Sequence, residues 1–159
     1  MKAVEHMSVK PGMTVEELVE AMASSGVLGA GRLARAARLL AEIFSQSDYQ
    51  VFMAVAGPAV PGGLRLLLSS LVEKGLVNLM VTTGANVTHD LVEALGFKHW
   101  QGSLYADDRR LKAEGYGRVG DIYVEQKAFE ALEKEVYRVL DEVSSSRRGE
   151  PFAVYELLW

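Results

Sequence analysis

Apolar residues change their period along this chain, and the changes mark its elements. Val15, Leu18, Val19 and Met22 recur at helical spacing behind Thr14-Val15-Glu16-Glu17, a capping box, which predicts a short helix ending near Gly26. A second helix follows, with Leu33, Ala36, Ala37 and Leu40 on one face and Arg32, Arg35 and Arg38 at intervals of three on the other. The period then disappears. Val51 to Ala56 and Val77 to Thr82 are continuous apolar runs, interrupted only by Asn78, as expected of strands covered by helices on both faces. Between them Leu64, Leu67, Leu68 and Leu71 predict a helix stopped by Gly75. The stretch from Val51 to Thr82 has the size of a βαβ unit, about 30 residues, so its strands are expected to be parallel.

Leu91, Val92 and Leu95 predict a further helix ending at Gly96, followed by a mixed stretch with His99, Trp100 and the cluster Asp107-Asp108-Arg109-Arg110, which reads as a solvated turn. Asp121 to Val124 is the third expected strand, and Phe129, Leu132, Val136, Val139, Leu140 and Val143 form the stripe of a long helix. Ser144 to Gly149 reads as a linker, and Glu150-Pro151 as the opening of a last helix that runs without a cap to Trp159. The fold class is therefore α/β, a parallel sheet with flanking helices. Three strands are fewer than the five or six of a doubly wound sheet, so the chain is expected to be an incomplete half of a larger one. Its organisation reads as a helical segment over 1–48 and an α/β part over 49–159.

Length and composition narrow the class. With 159 residues, 49% of them hydrophobic, the chain suits one compact domain with its own core. It has no cysteine, which removes disulfides, thiolate catalysis and zinc–sulfur sites and fits a reducing compartment. The first residues lack the apolar core of a signal peptide, and no apolar run approaches the ~18 residues of a membrane span. A soluble, cytoplasmic protein without a membrane partner is the expectation. The net charge of −4 argues against a nucleic-acid footprint, and the three arginines read as a solvated helix face.

Candidate chemistry lies in the two loops that follow the apolar strands, because ligands of open α/β sheets bind beside the carboxyl ends of parallel strands. The first loop is Gly57-Pro58-Ala59-Val60-Pro61-Gly62-Gly63, the second Thr83-Gly84-Ala85-Asn86. Helix amides behind the first could receive a phosphate or carboxylate, and the Thr82 and Thr83 hydroxyls could meet a ribose or pyrophosphate. A tight crossover shaped by the same prolines and glycines explains them equally well. Gly26 to Gly31 is also glycine-rich, but no strand precedes it, so it reads as a helix cap and interhelical turn. His89 opens the next helix as a possible proton carrier or ligand donor, while Asp90 has an ordinary role on the helix dipole. No catalytic nucleophile is evident. His6, His89 and His99 are too scattered in sequence to suggest a metal site.

Three segments taken in order carry a family resemblance: Gly57 to Arg65, Val81 to Leu91, and Leu111 to Asp121. Together they resemble the deoxyhypusine synthase family in its archaeal-like branch, from about Gly12 to the C-terminus, over the N-terminal half of the family's usual length. The resemblance implies a Rossmann-like sheet and makes 49–159 the N-terminal part of an NAD-binding domain. It implies NAD-dependent transfer of the aminobutyl group of spermidine to a lysine of the translation initiation factor 5A precursor, in an oligomer. It places Gly57, Pro58, Ala59, Val60 and Pro61, and Thr83, Gly84 and Ala85, against the cofactor. Thr88 and His89 stand where many members carry two acidic residues near NAD and the polyamine, so the loss of negative charge bears on amine binding. Gly57-Pro58 replaces a serine–asparagine pair, and Pro58 has no amide to donate.

The resemblance also implies that the lysine forming an imine with the butyl group lies in the other half. No lysine here sits in the desolvated setting that such a nucleophile needs, so no catalytic residue is assigned to this chain. The leading expectation is a cofactor-side half that works with a separate lysine-bearing C-terminal half, as a homo- or hetero-oligomer. A non-catalytic regulatory paralogue and a homospermidine synthase-like enzyme are the alternatives. A natural split subunit and a truncated product fit equally well.

Overall fold

The computed structural model describes residues 1–158, so the expected end of the last helix at Trp159 lies outside the described residues. The chain divides into two compact units: Met1–Phe52 with Gly75–Leu79, and Met53–Lys74 with Met80–Trp159.

The first unit is built on two helices in contact, α1 (Val15–Ser25) and α2 (Leu28–Ser45). The Thr14 hydroxyl accepts from the Glu17 amide at 3.1 Å and the Glu17 carboxylate accepts from the Thr14 amide at 2.6 Å, completing the expected capping box. Gly26 ends α1 in a left-handed conformation, φ 67°. Gly31, inside α2, shows why this turn is glycine-rich: a Cβ there would lie 2.5 Å from the Gly26 carbonyl. The stretch is an interhelical turn, as its sequence context indicates. Burial on α2 departs from expectation, because Ala34 is the buried residue while Leu33 and Leu40 remain about half exposed. Arg38 reaches back to an ion pair with Glu20 of α1.

The strand pair β1 (Phe52–Val55) and β2 (Leu79–Thr82) forms a two-stranded sheet. The Val51 carbonyl accepts from Asn78 and Leu79, and the Val55 carbonyl from Thr83, so both strands advance together in parallel. Asn78, the polar exception in the apolar run, has a role here: its Oδ1 accepts from the Val51 amide at 2.7 Å. Neither strand is covered on both faces, since residues of β1 alternate between exposed and half-buried and Val81 of β2 is 60% exposed.

The expected third strand does not extend this sheet. It is β5 (Ile122–Glu125), the centre of a separate antiparallel sheet in the order β3-β5-β4, with β3 (His99–Gln101) and β4 (Tyr116–Val119) beside it. His99 pairs with Val124, and Val119 with Ile122. Residues 99–101 and 116–119 were too short and too polar to read as strands. The parallel sheet is thus two strands in a mixed α/β chain.

Helix α3 (Arg65–Glu73) connects β1 to β2, and α4 (Gly84–Ala94) follows β2. Helix α5 (Asp108–Ala113) replaces the expected solvated turn, because the Asp107 carboxylate accepts from the Arg109 amide at 2.9 Å and caps it. Helix α6 (Gln126–Arg147) absorbs Ser144 to Arg147 of the expected linker and stops where Arg148 and Gly149 turn left-handed. Serine is tolerated here because Ser146 hydrogen-bonds back to the Val143 carbonyl. The last helix, α7 (Val154–Leu158), begins three residues after Pro151 rather than at it. The core joins α4, β5 and α6 through Val92, Val124, Ala128 and Leu132, with Leu91 and Phe97 packed on it. Among the described residues no helix is long and apolar enough to cross a membrane.

Candidate functional site

The loop after β1 folds into a single π-turn, Val60–Leu64, before α3 begins. The Leu64 amide donates to the Ala59 carbonyl at 3.0 Å, and the Gly62 amide to the Pro58 carbonyl at 2.8 Å. Closing so tightly requires Gly63 at φ 93°, a conformation that a side chain opposes. Gly57 enters the loop at φ 58°, with open space where a Cβ would stand.

Asn86 joins this loop to the second one. It is buried, its Oδ1 accepts from the Val60 amide at 3.1 Å, and its Nδ2 donates to the Thr82 hydroxyl at 3.0 Å. The Thr82 hydroxyl in turn donates to the Val55 carbonyl at 3.1 Å. One side chain therefore sets the spacing of Gly57–Pro61 and Thr83–Ala85, the two segments that the family resemblance places against the cofactor.

This interlock redistributes the donors. In the first loop the Val60, Gly62 and Leu64 amides are engaged within the protein, and Pro58 and Pro61 have none. The Thr82 hydroxyl is likewise engaged, donating to the Val55 carbonyl and accepting from Asn86. At the second loop Thr83 caps α4 through its backbone alone, which leaves its exposed hydroxyl free of a capping bond. The amides of Gly84 and Ala85 open α4, where helix geometry gives them no partner within the helix, and Gly84 has open space around it. These donors fit an anionic group such as a dinucleotide's pyrophosphate, with the first loop as a Cβ-poor wall.

Thr88 is half-buried one turn along α4, and His89 beside it is buried at 7% exposure. The His89 ring is directed onto the protein: Nδ1 lies 2.8 Å from Nε2 of His99, and Phe129 meets it edge-on at 6.0 Å. His99 Nδ1 is 2.8 Å from the Glu93 carboxylate. Burial, and next the charge of His99, hold the His89 imidazole below its ordinary value. Arg65, the first residue of α3, pairs with Asp90 and approaches Glu93 at 3.7 Å. The Asp90 carboxylate raises the Arg65 guanidinium further. Asp90 thus serves an ion pair between α4 and α3.

Two of the three scattered histidines come together in space, a pairing that their spacing hid. The helical offset of His89 and Glu93 on one face of α4 was the available signal for it. Among the described residues no group of side chains could hold a metal ion.

A cavity of about 590 Å³ adjoins the π-turn, lined by Gly62 and Gly63 together with Glu93, His99, Trp100 and Asp121. The first loop, His99 and the antiparallel sheet meet around it.

Comparison with known proteins agrees with the segments that carry the resemblance. The deoxyhypusine synthase family model matches residues 17–159. A probable deoxyhypusine synthase of Methanothermobacter thermautotrophicus is 43% identical over 144 residues, covering 91% of this chain and 47% of the relative. A probable deoxyhypusine synthase of Methanopyrus kandleri is 41% identical, with 92% and 46% covered. That of Aeropyrum pernix is 34% identical, with 99% and 50% covered. The chain spans about half the length of the curated relatives it matches. With the match running from before α2 through the last helix, this chain belongs to the deoxyhypusine synthase family.

Proposed function

We propose that this chain is the cofactor-side half of an NAD-dependent aminobutyltransferase, acting on spermidine and on a lysine of the translation initiation factor 5A precursor. Activity requires a lysine-bearing C-terminal half, joined in a homo- or hetero-oligomer. The observation that carries this reading is the Asn86 interlock, which holds a glycine-rich wall beside a helix N-terminus with free donors. Family membership and the half-length match support the need for a second half.

The Gly84 and Ala85 amides would hold a phosphate group of the cofactor, and the Thr83 hydroxyl would add a donor beside them. Gly57 to Pro61 would shape the approach and exclude water from one side. When bound, NAD supplies a hydride acceptor for oxidation of the amine carbon. Thr88 carries no charge, so the cationic amine would depend on carboxylates supplied from outside this pair of positions. His89 enters the site only through its hold on α4.

The test is reconstitution. The chain is co-expressed with the C-terminal half of the Methanothermobacter relative, and label transfer from spermidine to the factor precursor is followed with NAD present. Transfer by the pair and by neither half alone is the expected result. A pair that forms but transfers nothing, while raising the activity of a full-length synthase without binding NAD in a calorimetric titration, would establish the regulatory reading instead. Transfer to a free amine in preference to the protein lysine would establish a homospermidine synthase-like activity.

A further inference from the structure

Hydrogen-bond accounting at the histidine pair leads beyond the loops. With Glu93 ionised, the 2.8 Å contact to His99 requires a proton on His99 Nδ1, which donates to the carboxylate. Nε2 of neutral His99 is then an acceptor, so His89 Nδ1 must carry a proton and donate it at 2.8 Å. The neutral chain thus runs His89 to His99 to Glu93, both imidazoles protonated on Nδ1. A first added proton can settle on His89 Nε2, or on His99 Nε2 with the direction of the bond reversed. In either case one N–H still points at one lone pair. A second proton leaves two N–H groups facing each other across the same contact, and two cations in a buried pocket. The contact cannot survive it.

We propose that His89, His99 and Glu93 form a proton-counting latch that holds α4 against β3, stays closed with one added proton, and opens on the second. The surroundings suit this behaviour. On α4 itself the charged neighbours are Asp90 and Glu93, and from α3 comes Arg65, which partly offsets both carboxylates. From α6 the uncharged Phe129 ring meets His89, on β5 the apolar Val124 stands opposite His99, and the Asp121 carboxylate just before β5 lines the same cavity as Glu93 and His99. The His99 side chain is 5% exposed, so in the closed latch two facing N–H groups would lie largely outside bulk water. Opening frees the helix that carries Gly84, Ala85 and Asn86. Acid would therefore loosen both loops together without touching a residue in either.

The sign follows from the proton count. In the latch the closed pair holds one added proton where the unfolded chain holds two, so stability is complete above the ordinary imidazole value of about 6.5 and declines as pH falls below it. One proton of difference makes the unfolding equilibrium constant rise up to about tenfold per pH unit in that window.

The experiment compares urea unfolding between pH 4.5 and 7.5 for the 159-residue chain, His89→Gln and His6→Gln. The glutamine amide at position 89 can still donate to His99 while removing one ionisable ring. We expect His89→Gln to lose this extra tenfold steepness, and His6→Gln, at an exposed position, to overlay the parent curve. Parallel curves for His89→Gln and the parent would overturn the latch. Imidazole nitrogen NMR of the unsubstituted chain gives an independent reading should the variant not fold. At pH 7.5 both rings should carry the proton on Nδ1, and amide exchange along α4 should accelerate only as the pair gains its second proton. A His99 ring protonated on Nε2 at pH 7.5, or double protonation with α4 still protected, would overturn it equally.

Discussion

The two sheets of this chain solve the same problem by different means. The antiparallel sheet is closed by local pairing: β4 turns into β5 through Gly120 and Asp121, β3 returns on the other side, and α4 and α6 cover it with Val92, Ala128 and Leu132. The parallel pair β1–β2 has neither a hairpin nor a covered second face. It relies on polar side chains at its two ends, Asn78 at the start and Asn86 with Thr82 at the finish. The difference separates stability from function. The antiparallel sheet stabilises the second unit by burial, whereas the parallel pair presents loops, and polar bonds fix their geometry.

The sharpest way to break that contrast is a matched pair of truncations. Leu132→Ala removes a side chain that is 9% exposed in the α4–β5–α6 core and should cost about 2–4 kcal/mol in urea unfolding. If it costs no more than a strand residue of the parallel pair, burial is not what distinguishes the sheets.

Asn86→Ala comes next. It strips the buried Val60 amide of its acceptor and the Thr82 hydroxyl of its donor, for an expected cost of about 1–3 kcal/mol. Asn78→Ala at the exposed end should cost less, because water can replace the lost acceptor of the Val51 amide. Equal costs would mean that the loop interlock is no tighter than an ordinary strand end. Calorimetric titration with NAD adds a second reading: Asn86→Ala should weaken any dinucleotide binding, while Asn78→Ala should leave it unchanged.

How much of this was legible depended on whether the information was local. The Thr14 capping box, the Gly75 stop, the two apolar strands and the α6 stripe are local patterns, and each produced its element. The antiparallel sheet was hidden because β3 and β4 are three and four residues long and carry polar or glycine positions, so only their partners make them strands. The two loops were legible as segments. Their donor arrangement was not, because it depends on Asn86 reaching across 26 residues to Val60. The histidine pair was hidden for a similar reason, since the rest of α4 and a turn separate His89 from His99 in sequence and bring them together in space.

The capping box gives a measure from outside both sheets. Thr14→Ala removes the acceptor of the Glu17 amide and should cost about 1 kcal/mol, read as fraying of α1 by amide exchange. It should leave exchange in α4 and α6 unaltered if the two units unfold separately, and a uniform loss of protection would show that they unfold as one.

The smallest effect is the most telling about the parallel pair. Val81 stands on β2 with 60% of its surface exposed, and threonine preserves its branching at Cβ while adding a hydroxyl that water can satisfy. Val81→Thr should therefore change the stability of the isolated chain by less than about 0.5 kcal/mol, within the range of ordinary surface substitutions. The same substitution should weaken assembly with a C-terminal half supplied in trans, if that half covers this face, because an apolar contact would then bury the new hydroxyl. A large loss in the isolated chain would mean that β2 is already packed, and that the contrast between the two sheets is smaller than their exposures indicate.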